Sequence, residues 1–288
     1  MLQAELRPRL ASPPPVQVIA VTGGKGGTGK SSVAVNLATG LVQAGRRTML
    51  LDGDLGLANL DVLLGLTPRC TLEHVLRGER RLEEIIVRTA SGIRVVPSAS
   101  GVAKLAMLGG TEQAGLIQAF GALPEPLDVL IVDTAAGISD TVLQFCQSAQ
   151  QVLVVLRDEP TSLTDTYALI KVLSRQRGVR QFRVVANMTR NVGQGENVFR
   201  RLQRVTDRYL TVSLDFAGEI PEDGALQKSV LAQRAVLELF PGSPAAQAFR
   251  RLAHTASRWP LPLGPSGQLE FFFERLLTRA PPQLKVLK

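Results

Sequence analysis

The chain has 288 residues, 45% hydrophobic and 20% charged, enough to bury one large core. No run approaches the ~18–20 uninterrupted apolar residues of a membrane-spanning helix. The opening MLQAELRPRLASPPP lacks the apolar stretch of a secretory signal, so a cytoplasmic location is expected. The net charge of +8 is uneven: from Ala225 onward nine basic residues stand against three acids, a surface for nucleic acid, an anionic membrane, an acidic partner or plain solvent.

In chain order, residues 1–15 end in three prolines and read as a flexible leader. Apolar runs then alternate with amphipathic stretches, the pattern of βα units. Strands are expected at 16–21, 48–51, 93–96, 129–132, 152–156 and 182–186, with a weaker one at 212–220. Helical periodicity marks 31–43, 111–120, 139–147, 162–174 and 196–207. The fold class is therefore α/β, a doubly wound, mostly parallel sheet of about seven to eight strands with helices on both faces. The body runs over 16–258, and a proline- and glycine-broken tether (259–267, WPLPLGPSG) leads to a candidate helix at 268–279 and a tail at 280–288. In that helix Leu269, Phe272, Phe273 and Leu276 form an apolar stripe, suited to the protein's own body, a membrane interface or a groove.

Between the first strand and the first helix lies Gly24-Lys25-Gly26-Gly27-Thr28-Gly29-Lys30-Ser31, which fits the phosphate-loop pattern G-x-x-x-x-G-K-[ST], with Ser32 following. Glycines let backbone N–H groups converge on phosphate, the helix start adds its positive dipole end, Lys30 supplies charge, and Ser31 supplies a hydroxyl for Mg²⁺. Two acids complete the set at strand ends: Asp133 to bind Mg²⁺ or its water, and Asp54 to orient the attacking water. Gly137, four residues beyond Asp133, suggests a hinge. Cys70 and Cys146 are isolated, and His74 and His254 lie far apart, so no zinc or iron–sulfur spacing exists.

GGKGGTGKS, LLDGDLGLANLDVLLG and VLIVDTAAG resemble the deviant-Walker ATPases of the MinD/ParA class. DEPTSLTDTYALIK, FRVVANM, VTDRYL and the C-terminal WPLPLGPSGQLEFFFERLL resemble the flagellar-number regulators of the FlhG/FleN branch. The resemblance implies a slow ATPase that dimerises around two ATP molecules with Mg²⁺, Lys25 reaching the partner's nucleotide. It implies that Asn187 reads the adenine edge and that Pro221, Glu222 and Asp223 border the base. Implied partners are a flagellar signal-recognition-type GTPase, an enhancer-binding flagellar transcription activator, and the inner face of the cell membrane near the pole, through 268–279. The sequence departs from the pattern at Thr28, Ser31 and Gly53, the last putting loop stiffness in doubt. Gln3-Ala4-Glu5-Leu6-Arg7 is only a shortened echo of a GTPase-stimulating element. Three other readings stay open: a DNA-partition ATPase binding DNA nonspecifically, a metallocluster carrier, for which the cysteines offer no paired motif, and a non-enzymatic nucleotide-binding scaffold.

Overall fold

The computed structural model describes residues 15–54, 60–97, 110–261 and Phe273; within 110–116 only the Gly115 side-chain position is described. The leader, most of the tether and most of the 268–279 segment lie outside the described residues.

Eight strands form one sheet: β1 (Gln17–Thr22), β2 (Thr48–Gly53), β3 (Val87–Arg88), β4 (Arg94–Val96), β5 (Val129–Thr134), β6 (Gln151–Leu156), β7 (Gln181–Thr189) and β8 (Ser213–Pro221). Their order is β3-β4-β2-β5-β1-β6-β7-β8, every pairing parallel except the short antiparallel β3–β4 edge. The expected doubly wound sheet is thus the observed one. The central strands β1, β2, β5 and β6 are buried at every residue, as continuous apolar runs require when helices cover both faces.

One face carries α1 (Lys30–Gln43), α2 (Leu60–Leu64), α9 (Gly224–Leu231), α10 (Val236–Leu239) and α11 (Pro244–Ala256), packed on Ile19, Val21, Leu50 and Ile131. The other carries α3 (Leu72–Leu76), α4 (Leu82–Ile85), α5 (Gly110–Gly121), α6 (Asp140–Ser148), α7 (Pro160–Arg177) and α8 (Gln194–Tyr209), packed on Val18, Ala20, Leu51 and Val132. Alternate residues of one strand feed opposite cores, so a one-residue slip would exchange the two sets.

Residues 224–256, read from sequence only for their charge, fold into three helices. In α11, Ser243 caps the start, Pro244 sits in the first turn, and Ala245, Ala246, Ala248, Phe249, Leu252, Ala253 and Ala256 are buried. Phe273 crosses to the other core: it is fully buried, and its ring stacks on Phe120 of α5 with centroids 3.7 Å apart. Burying such a side chain contributes roughly 1.5–3 kcal/mol.

Candidate functional site

The C-terminal ends of β1, β2, β5, β6 and β7 bring the predicted residues together. After β1 the chain turns through Gly23–Gly29, with Gly27 at φ 75° and Gly29 at φ 88°, a conformation that side chains resist. The loop lies tight against its surroundings. A Cβ on Gly24 would sit 2.3 Å from the Asp165 carbonyl oxygen, inside the first half of α7. At Gly26 and Gly27 an added Cβ would meet nothing within 4 Å. The loop is therefore braced at one side and open at the other. Gly29 caps α1, whose start has no side-chain cap and no acid in its first turn, the combination that leaves an anion site.

Lys30 is only 8% exposed. Burial pulls its pKa down, opposed by the charges of Asp133 and Asp54. Asp133 is 2% exposed, its Oδ1 has no hydrogen-bond partner among the described residues, and its pKa is raised to about 7. Burial is the main cause, Asp52 and Asp54 add to it, and the Ser31 hydroxyl and Lys30 charge oppose it. Asp52 stands directly beside Asp133 in the β2–β5 register and is equally buried. A buried pair of carboxylates near a lysine, a serine hydroxyl and an unpartnered oxygen suits a divalent cation, which would compensate charge that the protein leaves uncompensated. The unpartnered buried Oγ of Ser32 adds a second polar group awaiting a ligand.

Sequence reasoning passed over Asp52. Its carboxylate accepts the Asp54 N–H (3.0 Å) and the Leu60 N–H (3.4 Å), holding both ends of the loop that carries Asp54. The only sequence signal was an acid inside a buried strand end. Gly53 proves to be a requirement rather than a weakness: a Cβ there would lie 2.9 Å from the Asp133 carbonyl oxygen and 3.1 Å from the Phe145 ring. The Gly137 N–H donates to the Gly23 carbonyl (3.1 Å), tying the segment after β5 to the start of the phosphate loop.

Lys25 points away from Lys30. Its Nζ donates to Thr161 Oγ1 at 2.8 Å and lies 3.5 Å from Glu159 Oε2, both at the start of α7, and its side chain is 40% exposed. Glu159 and Thr161 were noticed in the sequence only as part of a segment. On the far side, Asn187 ends buried beside the loop, its Nδ2 donating to the Thr28 carbonyl at 2.8 Å. Pro221 closes β8, Glu222 is exposed and paired with Arg190, and Asp223 has a structural job. Its carboxylate accepts the Ala225 N–H (2.8 Å) and the Ala245 N–H (2.9 Å), capping α9 and tying it to α11.

A family model described as ParA, NUBPL iron-transfer P-loop NTPase, matches residues 15–257. The antiactivator FleN of Pseudomonas aeruginosa is 54% identical over 269 residues, 93% of this chain and 96% of that one. The chain belongs to the MinD/ParA family of P-loop ATPases. Within it, the chain is close to the FlhG/FleN branch: the flagellum site-determining protein YlxH of Helicobacter pylori is 32% identical, covering 90% of this chain and 89% of its own. Among solved structures, MinD of Pyrococcus horikoshii in complex with Mg-ADP superposes with a TM-score of 0.62 at 25% identity, over 83% of this chain and 94% of that one. A MinC:MinD complex from Aquifex aeolicus gives 0.66 at 25% identity, over 86% and 98%.

The iron-transfer description does not extend to this chain's cysteines. Cys146 is fully buried, its thiol pushed up to about 12 by burial, and Cys70 packs at the edge of the same apolar core. The buried Cys146 thiol is not the exposed thiolate that holds a metal cluster. No helix among the described residues is long and apolar enough to cross a membrane.

Proposed function

We propose that this chain is a slow, partner-regulated ATPase whose ATP-bound dimer limits flagellar number. The observation that carries it is the 54% identity, over 93% of the chain, to the antiactivator FleN, together with the likeness to a flagellum site-determining protein and the signature Lys25 in the phosphate loop.

In this reading Gly24, Gly26, Gly27, Thr28 and Gly29 supply backbone N–H groups to a triphosphate, and Lys30 and Ser32 add charge and a hydroxyl. Ser31 and Asp133 hold Mg²⁺, with Asp54 reached through water. The ion supplies charge neutralisation at the phosphates when bound. Asp54 aligns a water, on a loop held by Asp52. Asn187 offers its unpartnered Oδ1 to the adenine amine, beside the segment Pro221–Asp223. Lys25 leaves Glu159 and Thr161 to meet the partner copy's nucleotide, which makes dimerisation the output that ATP controls. The dimer then engages a flagellar signal-recognition-type GTPase and an enhancer-binding transcription activator. The segment 268–279, of which Phe273 packs on Phe120, is the candidate for membrane contact from a cytoplasmic protein.

The experiment is sedimentation and ATP turnover of the full chain with ADP and with a nonhydrolysable ATP analogue. The reading expects a dimer with the analogue alone, lost in Lys30→Ala and Lys25→Ala. Equal sedimentation of all three proteins in both nucleotides would sink it. Liposome binding by the analogue-loaded wild type, absent from a 1–267 truncation, tests the membrane element.

A further inference from the structure

The two ends of the Asn187 amide meet different surroundings. Nδ2 donates to the Thr28 carbonyl at 2.8 Å, a bond between residues 159 apart in sequence, while Oδ1 is buried without a partner among the described residues. A carbonyl only accepts hydrogen bonds, so only the NH₂ end can face Thr28; a flipped amide would set two acceptors against each other. The orientation of the side chain is therefore fixed by chemistry.

The backbone around Asn187 is irregular in a way that serves this bond. The β7–β8 register shifts between Asn187 and Thr189, and Met188 between them has φ 57°, a left-handed conformation uncommon outside glycine. Such irregularities re-aim a side chain at the end of a strand. From the loop side, Gly29 approaches so closely that a Cβ there would lie 2.3 Å from Asn187 Nδ2. A bulge, a strained residue and a contact that only glycine permits thus converge on one hydrogen bond.

That bond acts on a particular peptide. In a trans peptide the carbonyl and the next N–H point in opposite directions. Holding the Thr28 carbonyl toward β7 turns the Gly29 N–H away from β7, and the N–H groups of such loops are its phosphate ligands. We propose that Asn187 is a positioning residue for the phosphate loop: it holds the Thr28–Gly29 peptide in its phosphate-binding orientation, independently of any contact with a base. The inference rests on the reading of the loop as a triphosphate site and adds to it a role for Asn187 that a baseless ligand would feel.

The test uses inorganic tripolyphosphate with Mg²⁺, titrated calorimetrically against the full-length wild type, Asn187→Ala and Asn187→Asp. Losing a buried hydrogen bond predicts about tenfold weaker tripolyphosphate binding in Asn187→Ala, and a larger loss in Asn187→Asp, whose carboxylate opposes the Thr28 carbonyl and repels the anion. For ATP hydrolysis, KM rises more than kcat falls. Asn187→Asp is nearly isosteric and carries the test if Asn187→Ala fails to fold; a melting curve of each variant reports that directly. Tripolyphosphate binding at wild-type strength in Asn187→Asp, with ATP binding weakened, overturns the proposal and leaves Asn187 as a base reader alone. No tripolyphosphate binding by the wild type overturns the triphosphate reading of the loop, and this inference falls with it.

Discussion

Two polar clusters sit at opposite ends of the same sheet, and their chemistry runs in opposite directions. At the N-terminal ends of the strands, most buried polar groups bond to protein partners, with Gln17 Oε1 an exception among the described residues. Gln17 donates to the Ala256 carbonyl (2.8 Å) and Gln151 to the Pro260 carbonyl (3.1 Å). Arg183 pairs with Asp215, donates to Gln151 (3.2 Å) and lies 5.5 Å from the Trp259 ring centroid. At the C-terminal ends, Asp52 and Asp133 face each other at matched positions, and Asp133 answers with a raised pKa. One end is wired for stability and the other carries charge that a ligand must complete. Substitutions at the two ends should therefore separate stability from activity.

The largest effect is expected at Lys30. Lys30→Met should lower ATP turnover by at least roughly a hundredfold, since the charge it supplies at the phosphates is lost. A melting temperature within a few degrees of wild type would place that loss in the site rather than the fold.

Asp133→Asn comes next, and it should break turnover while raising stability of the nucleotide-free protein. The pKa of Asp133 is about 7 in the folded chain against an ordinary aspartate value of 3.8. The folded state thus holds this proton more tightly than the unfolded chain does. Its contribution to stability is full below pH 3.8 and is lost as pH rises toward 7. The variant should gain up to about 4 kcal/mol over wild type above pH 7 and nothing near pH 4, read from denaturant unfolding across pH. A gain independent of pH would contradict the assignment to this carboxylate.

Arg183→Ala, at the other end, should show the reverse: a loss of about 1–3 kcal/mol in unfolding free energy with turnover unchanged. Gly53→Ala lies between the two behaviours, because its new Cβ crowds the Asp133 backbone. It should cost about 1–3 kcal/mol and reduce turnover as well. Glu159→Gln is the smallest change. The Lys25–Glu159 contact is more than a third exposed on both sides, so stability should move by less than about 0.5 kcal/mol. The analogue-driven dimer should nonetheless form at severalfold lower protein concentration, measured by light scattering.

This contrast also explains what the sequence made legible. Buried parallel strands announce themselves as unbroken apolar runs, and the phosphate loop as a spacing of residue types, so both could be read without a fold. β8 read weakly because it is an edge strand interrupted by Asp215, Gly218 and Glu219. α11 was passed over although its spacing is helical and its two faces differ clearly; its buried stripe is mostly alanine. Asp52 and Asn187 could not be assigned their contacts. The bonds that define them run to a loop N–H eight residues on and to a carbonyl 159 residues away, and only the folded sheet brings those together. Asp223, placed near the base by resemblance, also holds two helices together by capping them, a role with no sign in the sequence.

The central claim is that Lys25 completes a site in a second copy of the chain, and mixing two inactive variants tests it directly. Lys25→Ala retains its own Asp54, and Asp54→Ala retains its Lys25, so a mixed dimer would contain one intact composite site. Equimolar mixing should restore ATP turnover above that of either variant alone and to no more than about half of wild type, because only one site of each mixed dimer is complete. If the mixture is no more active than the two variants measured apart, Lys25 acts within its own chain and the account is wrong.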